Sequence, residues 1–446
     1  MAFGTPNNAA EATVTGGGLQ ATPQNYVSLA TLLDPTKPDV RDLYVKTYGD
    51  QGITGFLELT GAKNNAGTSD KVEWYEEGRL HKTVAFTSIT DGVVTVSDND
   101  PVLVRANDVL LFDGGVRAIV TDTDTSGTTF TVLPIDGSAV GSFDDATTGK
   151  ASIIGNMHAQ GTDQPSAFYQ TGLIKRENPY IIVKEMYEVS GSQATNVGWL
   201  NVNGQYMWYL KNEMDARKRF MNEREMMLLY AENGTTDTSS ISVGGKAIVP
   251  SEGYFDAVAK RGITVAGSAA AFTDFDPILL ELDKEGASSE YAMYLNRNQS
   301  LKIDDMLAAG VGSGITAGLA SQFGAFNNDE AMAVNLGFKS FTRGGYTFHK
   351  HDWKLLNDPT LGGIGGPTGA MIPMTQVADA NTGVKSPALE MNYKAAGNYS
   401  REMEHWVEGG GVLGHVTSGK DTVKFNYRSE CNLVTRAANQ HVLFQG

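Results

Sequence analysis

The sequence contains one cysteine in 446 residues, Cys431. A lone cysteine cannot close an internal disulfide, so a stapled secreted scaffold is excluded. A cysteine-rich zinc site is excluded for the same reason. Long apolar runs are missing too. The longest are about six residues, such as 226–231, where a membrane-spanning helix needs roughly 20. Basic charge is scarce: 35 Lys and Arg stand against 51 Asp and Glu, a formal net charge of −16. That balance argues against a protein that coats nucleic acid by counterion release. Charge of either sign is nearly absent from the first 33 residues, where Glu11 stands alone. Nothing there has the basic start and apolar core of a signal peptide.

What is present is glycine, 51 residues or about 11 %, against a usual ~7 %. Apolar residues make up 41 %, enough for sizeable cores, so wholesale disorder is excluded. Residues 1–34 read as an arm, too poor in apolar residues to fold alone and best held by a neighbouring copy. A short helix is predicted over 39–50. The polar stretch 71–81 is β-leaning, with Trp74 and Tyr75 set among charges. Residues 83–154 differ in kind. Strand-like runs lie at 93–96, 109–112, 116–121 and 128–133, and the first, third and fourth follow Asp-Gly, Asp-Gly-Gly and Ser-Gly turn signals. The block has ten Asp, no Glu and no His against Arg105, Arg117 and Lys150, a local charge of −7. This predicts an all-β module of five or six strands, outward-facing and solvated. The stretch 175–189 is β-leaning again and is expected to pair with 71–81.

Residues 203–232 predict one long helix of about 45 Å. Its apolar stripe would run through Met207, Leu210, Met214, Met221 and Leu228, interrupted by Arg217. Helices and strands then alternate. Helices are predicted at 255–261, 276–286 and 300–309. Strands are predicted at 291–295, 337–343, 346–351, 388–393, 423–427 and 433–436. No βαβ unit repeats, so the class is α+β.

Chemistry is sparse. There is no phosphate-binding loop, dinucleotide fingerprint, nucleophile elbow or His-Glu-x-x-His. His349 and His351 would share a strand face with Asp352 beyond them, a spacing open to chelation but better read as a polar strand end. The Asp-Asn-Asp at 98–100 and Asp-Thr-Asp at 122–124 lack the Gly and distal Glu of a calcium loop and read as turns. Cys431 reads as a buried, inert thiol. The last six residues, His441-Val-Leu-Phe-Gln-Gly446, resemble a protease-site tag remnant, and a native end is the other reading. No catalytic residue, cofactor or metal site is expected. Arms and excursions bury little surface inside their own chain, so they make sense where neighbouring copies cover them.

One stretch carries a family texture. It runs Ile-Val-Lys-Glu-Met-Tyr-Glu-Val-Ser-Gly-Ser-Gln-Ala from Ile182, then a helix segment Lys-Asn-Glu-Met-Asp-Ala-Arg-Lys-Arg-Phe-Met-Asn-Glu-Arg-Glu-Met-Met-Leu-Leu from Lys211. With the order arm, extended loop, long helix and α+β remainder, it resembles the major capsid proteins of tailed bacteriophages, the Hong Kong 97-like capsid fold. The later strand 291–295 and helix 298–309 are similar to the core of that fold.

The resemblance implies an N-terminal arm (1–34) and an extended loop region (35–196) carrying the inserted all-β module (83–154). It implies a spine helix of the peripheral domain (197–233), an axial domain with remaining peripheral elements (234–418), and C-terminal strands of the peripheral domain (419–446). It implies a shell of hexamers and pentamers around double-stranded DNA, assembled in the host cytoplasm and located in the virion. Partners would be further copies, a portal, scaffolding or decoration proteins, and DNA in weak non-specific contact, with no membrane. Candidate inter-subunit residues are Glu73, Trp74, Glu76, Glu77, Arg79, Arg217, Arg219 and Arg224. The competing readings are a phage tail tube or sheath protein, a β-rich surface-layer or adhesin protein, and an enzyme.

Overall fold

In the computed structural model the chain divides into two compact units: residues 1–74 with 177–446, and residues 75–176. The structure describes residues 63–66, 69–81, 83–96, 104–124, 128–140, 149–165, 169, 172–194, 201–202, 205–206, 208–233, 241–267, 271–312, 340–361, 363, 365–374, 376–378, 385–396, 399–410 and 416–446. The predicted arm and the helix expected at 39–50 lie outside these residues.

The described chain opens with β1 (Lys63–Ala66) and β2 (Lys71–Glu77). The second unit follows with β3 (Thr83–Thr90), β4 (Val93–Val96), β5 (Asp108–Phe112), β6 (Arg117–Thr123), β7 (Thr129–Pro134) and β8 (Gly149–Asn156). These six strands close into a barrel in the order β3-β4-β7-β6-β5-β8. The period-2 alternation of strands sends Val84, Phe86, Val94, Val96, Leu110, Phe112, Ala118, Val120, Phe130, Val132 and Ala151 into one interior. A register shift between Phe86 and Ser88 turns Ile89 inward as well. Closure leaves no unpaired sheet edge. The β3–β4 turn has two residues of positive φ, Asp91 (49°) and Gly92 (74°), which suits a two-residue hairpin. Gly92 is required there: a Cβ would stand 2.8 Å from the Val132 carbonyl oxygen.

The chain then enters β9 (Leu173–Pro179), which pairs with β2, and β10 (Ile181–Ser190). One helical turn, α1 (Gly191–Ala194), follows, then the short strands β11 (Asn201–Val202) and β12 (Gln205–Tyr206) and the helix α2 (Trp208–Tyr230). The helix predicted over 203–232 is therefore shorter, 23 residues or about 34 Å. Asn201 pairs with Tyr206 and Val202 with Gln205, so 205–206 is extended backbone inside the span where a helix is predicted.

The predicted stripe on α2 is corrected too. Met214 is 48 % exposed and Met221 40 %, whereas Ala216, Phe220, Arg224, Glu225, Leu228 and Leu229 are buried. Phe220 packs on Tyr427 with ring centroids 5.9 Å apart. The helix carries charge on several faces, so a methionine stripe at helical spacing does not identify the face that meets the sheet.

Beyond α2 come β13 (Ile241–Val243), β14 (Lys246–Ile248), α3 (Tyr254–Arg261), β15 (Ile263–Ala266), α4 (Phe272–Lys284), β16 (Glu290–Leu295) and α5 (Arg297–Gly312). Then follow β17 (Ser340–Arg343), β18 (Tyr346–Asp352), β19 (Pro367–Pro373), β20 (Gln376–Ala378), β21 (Lys385–Pro387) and β22 (Leu389–Ala396). The last strands are β23 (Tyr399–Ser400), β24 (Glu404–Gly409), β25 (Thr422–Thr435) and β26 (Val442–Gln445).

Two six-stranded sheets organise this unit. The first runs β1-β22-β25-β10, with β23 on β22 and β24 on β25. Its axis is the 14-residue β25, which joins the two short strands expected at 423–427 and 433–436. One edge of β25 pairs with β10 over ten residues, from Ile181 opposite Cys431 to Ser190 opposite Thr422. The other edge is shared by β24 at its start and β22 at its end. Helix α2 packs on this ladder, burying Tyr187, Val189, Val423, Phe425 and Tyr427 under Ala216 and Phe220.

The second sheet runs β15-β26-β19-β16-β18-β17 and is mixed, with β15/β26 and β16/β18 parallel. Helices α4 and α5 contribute Phe275, Ile278, Leu282, Ile303 and Met306 to the core it shares with Phe348, Met371 and Phe444. The last six residues are built into this sheet. Val442, Leu443 and Phe444 are buried, and β26 lies between β15 and β19. Residues 419–446, read as peripheral strands, divide between sheets: β25 belongs to the first and β26 to the second.

Candidate assembly interface

The expected inter-subunit residues fall into two groups with different fates. On β2, Trp74 is buried within its own chain, while Glu73 sits 3.0 Å from Lys71. Lys71 also pairs with Glu177 across the β2–β9 ladder, and hydrogen bonds to both carboxylates raise its pKa. Glu76 meets Arg176 at 3.3 Å. Glu77 and Arg79 are exposed.

The α2 arginines divide similarly. Arg219 gives two guanidinium hydrogen bonds to Glu185 Oε1, at 3.1 and 2.8 Å. Arg224 is buried and donates to the Glu402 carbonyl oxygen at 3.3 Å. Arg217 is exposed. Arg219 and Arg224 thus fasten α2 to its own sheet, and Arg217 is left on the outer surface.

A polar seam crosses the second face of the first sheet. Residues 424, 426, 428, 430 and 432 of β25 point away from the face that carries Phe425 and Tyr427. Glu430 is nearly buried and meets Arg401 at 2.6 Å and Lys394 at 3.5 Å. Lys394 pairs with Asp70, whose carboxyl its hydrogen bond holds below the usual range. Glu404 takes Arg428 and, at 3.7 Å, Arg401. Arg428 also lies over the Trp406 ring at 5.1 Å. On the helix-facing side, burial and then Glu213 raise the Tyr427 phenol.

Asn178, at the end of β9, is a further anchor that the sequence did not mark. Its amide donates to the Leu433 and Glu252 carbonyl oxygens at 2.7 and 2.9 Å. Its side-chain oxygen accepts from Ser251 Oγ and the Glu252 N–H, at 2.9 and 2.8 Å.

The residues singled out for chemistry are occupied structurally. His351 stacks on Tyr294 at 5.1 Å, and burial lowers its pKa. Cys431 is buried and burial pushes its thiol up to about 11, far from a thiolate nucleophile. Asp122 accepts from the Thr123 N–H at 2.9 Å, an ordinary local turn bond. The Asp-Asn-Asp at 98–100 lies outside the described residues. Among the described residues no group of three His, Cys, Asp or Glu is placed to hold a metal ion. No described helix is long and apolar enough to cross a membrane.

Two-stranded elements carry part of the exposed apolar surface among the described residues. The β2–β9 ribbon continues to a hydrogen bond from Gly78 N to Gly172 O at 2.9 Å. Beside it Leu80 is 78 % and Leu173 68 % exposed, with Tyr75 and Ile174 also exposed. The β13–β14 hairpin exposes Ile241, Val243 and Ile248. A two-stranded ribbon on its own is marginal in water. The barrel wall exposes Val93, Leu133 and Ile135 as well. These were not legible in the sequence, because inward and outward positions are both apolar at Val93-Val94 and Val132-Leu133.

No family model and no curated protein matches the chain. It is similar to solved structures. One, from Microbacterium phage Oxtober96, has 8 % identity and a TM-score of 0.40, covering 93 % of this chain and 97 % of that one. A second, from the capsid structure of cyanophage P-SCSP1u, has 8 % identity and a TM-score of 0.39, covering 96 % and 99 %. A third, from the capsid of a native GTA particle, has 10 % identity and a TM-score of 0.37, covering 97 % and 98 %. Two of these three similar chains are named as capsids, and all three are matched over nearly their full length.

Proposed function

We propose that this chain is a bacteriophage major capsid protein of the Hong Kong 97-like type, a structural protein rather than an enzyme. Copies assemble as hexamers and pentamers into an icosahedral shell that encloses double-stranded DNA. The observation that carries this reading is the β2–β9 ribbon, which exposes Tyr75, Leu80, Leu173 and Ile174. A ribbon of two strands with its apolar side chains in water gains its stability from whatever covers it. A shell supplies that cover at every position, through a neighbouring copy. The net charge of −16 supports a wall that contains DNA without gripping it.

In this reading α2, fastened by Phe220, Arg219 and Arg224, is the rigid spine, and Arg217 remains available to neighbours. Sedimentation of the purified full-length chain tests the reading. Fast-sedimenting closed particles support it. A chain that stays monomeric at high concentration overturns it, and open tubes favour the tail-protein reading.

A further inference from the structure

We draw no further inference here: the strongest candidate, the apolar face of the β13–β14 hairpin that exposes Ile241, Val243 and Ile248, carries none because nothing in the structure shows what covers it.

Discussion

Removing the last strand is the sharpest perturbation the fold allows. A stop codon at position 441 deletes His441 and β26, which lies between β15 and β19. Val442, Leu443 and Phe444 are 0 %, 1 % and 0 % exposed. Burying each such side chain is worth about 1.5–3 kcal/mol, so the three contribute about 4.5–9 kcal/mol. A typical domain is stable by only about 5–15 kcal/mol. The deletion also strips β15 of the strand it pairs with, from Ile263 opposite Val442 to Ala266 opposite Gln445. The Tyr254 hydroxyl would lose its 3.1 Å contact with His441 Nδ1 in a fully buried site.

The expected outcome is loss of the cooperative thermal transition of this unit, followed by calorimetry and tryptophan fluorescence. Phe444→Ala is the milder companion and is expected to cost about 3–5 kcal/mol. A protease specific for Leu-Phe-Gln-Gly should leave the native chain intact and cut it in urea. A truncated chain that melts with the full-length one, or native protein cut at Gln445, would refute the placement of β26 in the sheet.

Two further outcomes test the packing. Phe220→Ala should destabilise the chain by about 3–5 kcal/mol in urea unfolding, while Met214→Ala on the exposed face should stay within about 0.5 kcal/mol; equal effects would mean that the wrong helix face has been assigned to the sheet. Burial depresses His441 to about 3, so the folded state holds it neutral while the unfolded chain takes up a proton below its ordinary pKa of 6.5. Its contribution is therefore fully present above about pH 6.5 and declines as pH falls toward 3, at up to about 1.4 kcal/mol per pH unit. His441→Gln should flatten the acid limb of the stability profile, and an unchanged limb would show that His441 is not the group responsible.

Local signals carried much of the fold. The hairpins of the barrel were legible because Asp-Gly and Ser-Gly fix turns between β-branched runs. The β17–β18 hairpin was legible through Gly344-Gly345, both at positive φ. Where local and long-range forces compete, the sequence misled. Helix α4 begins at Phe272, four residues before the predicted start at 276, because Phe272 and Phe275 pack into the core of the second sheet. The stripe on α2 pointed to Met214 and Met221, while the sheet takes Ala216 and Phe220.

Charge density on 73–79 and on α2 marked the candidate interface elements in the sequence. Which charges are spent inside the chain depends on partners far away in sequence: Arg219 on Glu185, Arg224 on Glu402 and Glu76 on Arg176. The exposed apolar strips required knowing which way each strand residue points.

The central claim is assembly into a closed shell. Electron microscopy of the purified full-length chain tests it most directly. The account predicts closed icosahedral particles built from hexamers and pentamers. A dispersed, stably folded monomer at every concentration and salt condition would contradict it.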